Sequence, residues 1–323
     1  MYALAPAPAL AGRHLLAIDD LAAAEVAALL RVAEYLKRRR LSEHAQILRG
    51  KMLAMFFEKP SLRTRVSFEV AMTQLGGNVL FAKGDEFSIG TRETPEDAAR
   101  VLSRYADAIV IRTHAHEPLQ RFAAASSVPV INGLSALAHP CQALADLLTL
   151  KERFGTLAGL HVAYLGDAKN NVAASLAQAA VMTGVHVQFG CPPSHRPSET
   201  FLAQLKKLAA ASGGSARAFS NAVRAVRGVD AIYTDVWTSM GEEAASERNR
   251  AVLAPYRVTE ALVAHAAPHA VFMHCLPAHR GEEVTAGVID GAQSVVFDQA
   301  ENRMHAQKAV LAALLTDLKG ISA

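Results

Sequence analysis

Cysteine is scarce: only Cys141, Cys191 and Cys275 occur in 323 residues. The count is odd, the three are far apart, and none forms a Cys-x-x-Cys pair. That argues against a disulfide framework and a structural zinc site, and predicts reduced thiols. Neither sign of charge dominates. Lys plus Arg is 33 against 30 Asp plus Glu, a formal net charge of +3, too small to imply nucleic acid and better suited to an anionic small molecule. No apolar run approaches the ~20 residues that cross a bilayer. Residues 1–10, apolar and rich in Ala and Pro, lack a basic leader, so neither a signal peptide nor a membrane anchor is expected and a cytoplasmic chain is. No Gly-x-Gly-x-x-Gly follows an apolar run and no Gly-x-x-x-x-Gly-Lys-Ser/Thr occurs, which disfavours dinucleotide and nucleoside-triphosphate sites.

What is present is a globular composition, 51% hydrophobic and 20% charged, over a length that suits two domains. Short apolar runs at 52–57, 79–82, 108–111 and 128–131 alternate with helical stretches. Such alternation predicts an α/β fold with a parallel sheet covered on both faces. A long helix is expected over 139–154. A second set of strands follows at 161–165, 186–189, 231–234, 271–274 and 295–297, with helices at 172–183, 198–211 and 259–265. The expected division is therefore residues 1–148 and 149–303, with a last helix, about 300–318, returning to the first domain (304–323). Residues 212–215 read as a plain loop.

In open parallel sheets ligands bind beyond the carboxyl ends of the strands, so the polar residues following each strand are the informative ones. After 52–57 comes Ser61-Leu62-Arg63-Thr64-Arg65, opening a helix. Ser61 is a candidate N-cap, and the free N–H groups, two hydroxyls and two guanidiniums suit an oxyanion. Arg112 ends the strand at 108–111, where a buried arginine calls for an anion or carboxylate. His139-Pro140-Cys141-Gln142 begins the long helix, Pro140 suiting its first turn. His139 and Gln142 there are either hydrogen-bonding partners for a carbonyl or amide, or parts of an ordinary cap. In the second half, Asp235 follows 231–234 and Cys275 follows 271–274. Singly, they read as a satisfied cap and a buried small residue. Together, polar residues after nearly every strand of both halves suggest an active site in a cleft between two domains.

Ser61-Leu62-Arg63-Thr64-Arg65, His139-Pro140-Cys141-Gln142, Asp235-Val236-Trp237-Thr238-Ser239-Met240-Gly241 and His274-Cys275-Leu276-Pro277 resemble the motifs of the aspartate/ornithine carbamoyltransferase family. The likeness continues through Ala278-His279-Arg280-Gly281-Glu282-Glu283-Val284-Thr285 and Ala300-Glu301-Asn302-Arg303-Met304-His305, spanning nearly the whole chain in the family's order. The first two motifs are shared with the aspartate branch; Asp-Val-Trp and His-Cys-Leu-Pro belong to the ornithine branch. The resemblance implies that Ser61, Leu62, Arg63 and Thr64, with Arg112, hold the phosphate of carbamoyl phosphate in the first domain. It implies that His139, Gln142 and the Cys275–Leu276 backbone orient the carbamoyl group, that Arg303 also faces carbamoyl phosphate, and that Asn171, Asp235, Ser239 and Met240 bind L-ornithine in the second domain. Arg63, Arg112, His139, Asp235 and Cys275 are the expected catalytic set, with Cys275 not a covalent nucleophile. No metal or organic cofactor is implied. A homotrimer is, with a loop over 83–93 completing the neighbour's site. There this sequence departs from the family, having Ser88 where Gln is common, and Arg92 is the loop's best phosphate partner.

The implied reaction is carbamoyl transfer to the δ-amine of ornithine, giving citrulline and phosphate. Two alternatives stand beside it: a carbamoyltransferase for another amine, such as putrescine or an acylated ornithine, and a carbamoyl-phosphate-binding protein without catalysis. Asp235 with Ser239-Met240-Gly241 favours ornithine over the first, because an α-ammonium calls for an anionic partner. Intact Arg63, His139, Asp235 and Cys275 argue against the second.

Overall fold

The computed structural model describes residues 10–39, 45–83, 89–90, 93–237 and 246–318. The chain divides into two compact units, Met1–Leu148 with Glu301–Ala323, and Thr149–Ala300. Among the described residues no helix is long and apolar enough to cross a membrane.

In the first unit α1 (Ala23–Arg38) precedes an alternating series: β1 (Met52–Phe57), α2 (Leu62–Gln74), β2 (Asn78–Lys83), α3 (Pro95–Leu102), β3 (Ala108–Arg112), α4 (His116–Ala125), β4 (Val130–Leu134) and α5 (Pro140–Phe154). The four strands form one parallel sheet in the order β2-β1-β3-β4. Every residue of β3 is buried, as a parallel strand covered on both faces demands. Because β1 pairs with β2 on one side and β3 on the other, the winding reverses between β1 and β3. That reversal is the place in such sheets where the loops part and leave a crevice.

The second unit repeats the plan with β5 (His161–Leu165), α6 (Asn171–Met182), β6 (His186–Gly190), α7 (Glu199–Leu208), β7 (Ser215–Phe219), α8 (Ala222–Val226), β8 (Ala231–Thr234), α9 (Ser246–Leu253), α10 (Glu260–Val263), β9 (Val271–His274) and α11 (Ala286–Ile289). Its parallel sheet has the order β7-β6-β5-β8-β9, so the reversal lies between β5 and β8. Gly166, directly after β5, has φ +112, a backbone that side chains rarely adopt, and a Cβ there would lie 3.4 Å from Trp237 Nε1. The last helix, α12 (Val296–Leu315), begins in the second unit and ends in the first.

Three elements differ from their sequence reading. The strand expected at 128–131 runs instead over Val130–Leu134. Pro129 has no N–H to give a ladder, although its carbonyl accepts from Ile109 N, while Asn132 continues the strand by donating from its backbone N–H to Leu15 O at 2.8 Å. Residues 295–297 are not a strand. Val295 N donates to Phe272 O at 3.0 Å, while Phe272 N donates to Gln293 O, and the Val295 carbonyl then accepts from Gln299 N as α12 starts. β7 lies where a loop was expected to end. It is an edge strand with no fully buried residue, so it carries little apolar signal.

Candidate active site

The motif after β1 opens α2 as a capped helix. Ser61 is extended (φ −158), and its Oγ accepts from Thr64 N at 3.3 Å while its hydroxyl donates to Thr64 Oγ1 at 2.9 Å. Thr64 Oγ1 also accepts from Arg303 Nη2 at 2.6 Å. A guanidinium from α12 is thus fixed at the N-terminus of α2, where backbone N–H groups and dipole already favour an anion. Arg63 follows one residue into the helix and is half-buried, and Leu62 is exposed. Arg65 does not join this set: its guanidinium lies 4.2 Å from the centre of the Phe81 ring and pairs with Glu69.

Arg112 ends β3 next to β1, and the backbone N–H of Glu58 donates to its carbonyl. Arg112, Arg303 and His139 are all buried. Burial first, and then the positive charges of Arg303 and Arg112, hold the His139 imidazole well below the usual histidine range. At neutral pH this histidine is therefore uncharged and offers one N–H and one lone pair. Its carbonyl accepts from Gln142 N and Ala143 N, which starts α5. Gln142, one turn in, donates from Nε2 to Asp146 Oδ1 at 2.8 Å in the interior.

In the second unit Asp235 follows β8 and Cys275 follows β9, the two strands being neighbours. Cys275 Sγ donates to Asp235 Oδ1 at 3.0 Å, and the same oxygen accepts from Val236 N at 2.8 Å. Leu276 has φ +58 and precedes a cis bond to Pro277. Its N–H donates to His274 Nδ1 at 2.8 Å, which leaves Nε2 as the ring nitrogen that donates toward Glu283 Oε1 at 3.2 Å. Burial raises the Glu283 pKa, yet the contacts from His274 and the His279 N–H outweigh it and hold the carboxyl below the usual range. Gln299 accepts from His274 N and donates to the Tyr233 hydroxyl. The His274–Leu276 turn thus rests on a buried polar frame. Asn171 is the first residue of α6, and Asn170 before it caps the helix and donates to the Tyr164 hydroxyl. Ser239 and Met240, like Ser88 and Arg92, lie outside the described residues.

Glu283, Gln299 and Asp146 were not singled out from sequence. Glu283 stood within a quoted motif, and Asp146 lies four residues after Gln142 on one helical face. Neither spacing announces a role without the strand ends that meet it. Among the described residues, two groups of side chains have metal-donor atoms within 4.8 Å of one another, Asp235–His274–Cys275 and His279–Glu282–Glu283. In both, atoms are engaged in hydrogen bonds or ion pairs: Cys275 to Asp235, His274 to Glu283, and Arg250 to Glu282.

Residues 13–152 match the aspartate/ornithine carbamoyltransferase carbamoyl-P binding domain, and residues 158–314 match the Asp/Orn binding domain of the same family. The chain is 50% identical over 311 residues to the anabolic ornithine carbamoyltransferase of Pyrococcus furiosus, covering 96% of this chain and 98% of that protein. It is 50% identical over 307 residues to ornithine carbamoyltransferase of a Parafrankia species, with 94% and 96% covered. The solved Pyrococcus furiosus structure superposes with a TM-score of 0.92, covering 95% of this chain and 98% of that one. The Giardia lamblia ornithine transcarbamoylase, 36% identical, gives 0.87 over 95% and 99%. The reversal points of two parallel sheets, the strand-end motifs on them and these matches together establish that the chain belongs to the aspartate/ornithine carbamoyltransferase family.

Proposed function

We propose that the protein transfers the carbamoyl group of carbamoyl phosphate to the δ-amine of L-ornithine, giving L-citrulline and phosphate. The observation that carries this reading is the pair of buried guanidiniums, Arg112 and Arg303, facing an uncharged His139 beside the capped start of α2. That set suits a phosphate joined to a carbonyl. Ser61, Leu62, Arg63, Thr64 and Arg112 take the phosphate. His139, Gln142 and Arg303, with the Cys275–Leu276 backbone, take the carbamoyl group. The δ-nitrogen attacks the carbamoyl carbon, the bond from that carbon to the phosphate oxygen breaks, and the nitrogen loses its proton. Charge building on the departing phosphate is met by preorganised donors.

A free alkyl ammonium has a pKa near ~10.4, so the nucleophile must first be deprotonated, which a site rich in fixed cations favours. Asp235 is the anionic partner for the α-ammonium, with Asn171, Ser239 and Met240 as further ornithine contacts. Cys275 donates its S–H to Asp235 and orients that carboxylate. It forms no bond to substrate.

We further infer that the protein is a cytoplasmic homotrimer whose sites are completed by residues 83–93 of a neighbouring chain. β2, which leads into that segment, is an edge strand of its sheet with Leu80 exposed, and the preceding helix, α2, leaves Val66 exposed. The test of the activity is a colorimetric citrulline assay on purified protein, with carbamoyl phosphate and ornithine, putrescine or an acylated ornithine. Citrulline from ornithine, with little product from the other amines, is the expected result. Binding of carbamoyl phosphate with no turnover of any amine would overturn it.

A further inference from the structure

Gln142 is 1% exposed and Asp146 is fully buried. They lie one turn apart on α5, and Gln142 Nε2 donates to Asp146 Oδ1 at 2.8 Å. A primary amide has two chemically opposite ends, and on its own Gln142 could present either of them. A carboxylate only accepts hydrogen bonds, so Asp146 captures the NH2 end. The carbonyl end, Gln142 Oε1, is buried and has no hydrogen-bond partner. A buried acceptor left so is costly.

We propose that Asp146 is a positioning residue that fixes the polarity of Gln142, making it an acceptor for the NH2 of the carbamoyl group and so a selector for carbamoyl over acyl phosphates. The proposal rests on the reading of the site as a carbamoyl phosphate site. Carbamoyl phosphate and acetyl phosphate share the phosphate and the carbonyl oxygen and differ in NH2 against CH3. An acceptor aimed at that group rewards the first and is left unsatisfied by the second. Discrimination by a buried polar group deprived of its partner is stronger than a hydrophobic contact of the same size provides. Were Gln142 turned over, its own NH2 would face the substrate NH2, donor against donor.

The test uses the intact protein. Citrulline formation by the unaltered chain is established first, so that failure of the reading and failure of this proposal are told apart. Asp146→Asn keeps the shape but can present either a donor or an acceptor to Gln142, so the amide is free to turn. Calorimetry should show carbamoyl phosphate binding weakened by roughly tenfold, the scale of a buried polar group left unsatisfied, with acetyl phosphate binding changed less than about twofold. In a Gln142→Ala background the same substitution should add almost nothing, because Asp146 acts only through Gln142. Equal weakening of both phosphates, or the same loss in both backgrounds, would overturn the proposal. Asp146→Ser is the second variant should Asp146→Asn not fold. Failure of both to fold would make the carboxylate a part of the fold and overturn the assignment as well.

Discussion

His139 stands at the start of a helix between two arginines, and its environment decides what chemistry it can do. An imidazolium there would add a third positive charge to a buried site, so the residue stays neutral, which suits its proposed role as a hydrogen-bond donor to the carbamoyl oxygen. A lowered histidine pKa means the folded chain binds fewer protons than the unfolded one below the ordinary histidine value. The stability His139 contributes is therefore complete above about pH 6.5 and declines as pH falls below it. Carbamoyl phosphate affinity, corrected for the ligand's own ionisation, should show no histidine step between about pH 6 and 8. A step there that vanishes in His139→Asn would show the imidazole to be charged. Arg63 lies in the opening turn of α2 and is proposed to meet the phosphate, so Arg63→Ala should lower kcat by ~10²–10³ without altering thermal unfolding. Near-normal turnover would remove it from the site. Asp235 Oδ1 accepts from Cys275 Sγ and Val236 N, and its carboxylate is the proposed partner of the ornithine α-ammonium. Asp235→Asn should cost ornithine affinity far more than carbamoyl phosphate affinity when each is titrated alone, and equal losses would assign it to the fold.

Elements differ in how plainly a sequence states them. The buried strands β1, β3, β5, β8 and β9 are runs of apolar residues bounded by polar ones, and their ends were placed within a residue. Edge strands are another matter. β7, Ser-Ala-Arg-Ala-Phe, is half-exposed throughout and exists because β6 offers it a ladder. Residues 295–297 show the opposite case. Three apolar residues in a row satisfy a strand pattern, yet they enter a helix whose first turn carries Asp298. The family's motifs are legible in the sequence because they fall at strand ends, where a parallel sheet places its binding residues. Asp146 and Glu283 were not, because a buried carboxylate within a helix or loop is invisible until its partner is known.

α12 carries a further polar oddity that its sequence does not betray. Lys308 is 1% exposed, and burial brings its pKa from 10.5 down to about 8. Between those two values the unfolded chain holds a proton that the folded chain has shed, so stability should rise with pH across that window. Lys308→Met fits a similar space without the ammonium. It should flatten that rise and stabilise the protein at neutral pH, read from urea midpoints at about pH 7, 8 and 10. An unchanged pH dependence in the variant would show that Lys308 reaches water when charged.

At the scale of the whole molecule, the residues proposed to act on one reaction are spread over the sequence of two units, and the proposed trimer spreads them over two chains as well. The segment 83–93 is where the second claim is decided. Within it Ile89 N donates to Glu58 Oε1 at 3.0 Å, and directly after it Thr94 caps α3. Glu58 immediately follows β1 and also accepts from the hydroxyl of Thr113, the residue after Arg112. Ile89 is thus tied through Glu58 to the ends of β1 and β3 in its own chain, while Arg92, outside the described residues, is the group proposed to serve a neighbour. If a site takes Arg63 from one chain and Arg92 from the next, Arg63→Ala and Arg92→Ala damage the same site from different chains. Each variant alone should be inactive. Unfolded together and reassembled, they should form hybrids in which some sites draw both intact arginines, one from each parent. Activity should return in the mixture, and sedimentation should give a species of three times the 34.4 kDa chain mass. If native mass spectrometry shows mixed trimers and no citrulline is made, each chain holds a complete site and the loop serves only its own subunit. If the protein sediments as a single chain with full activity, the trimer itself is wrong.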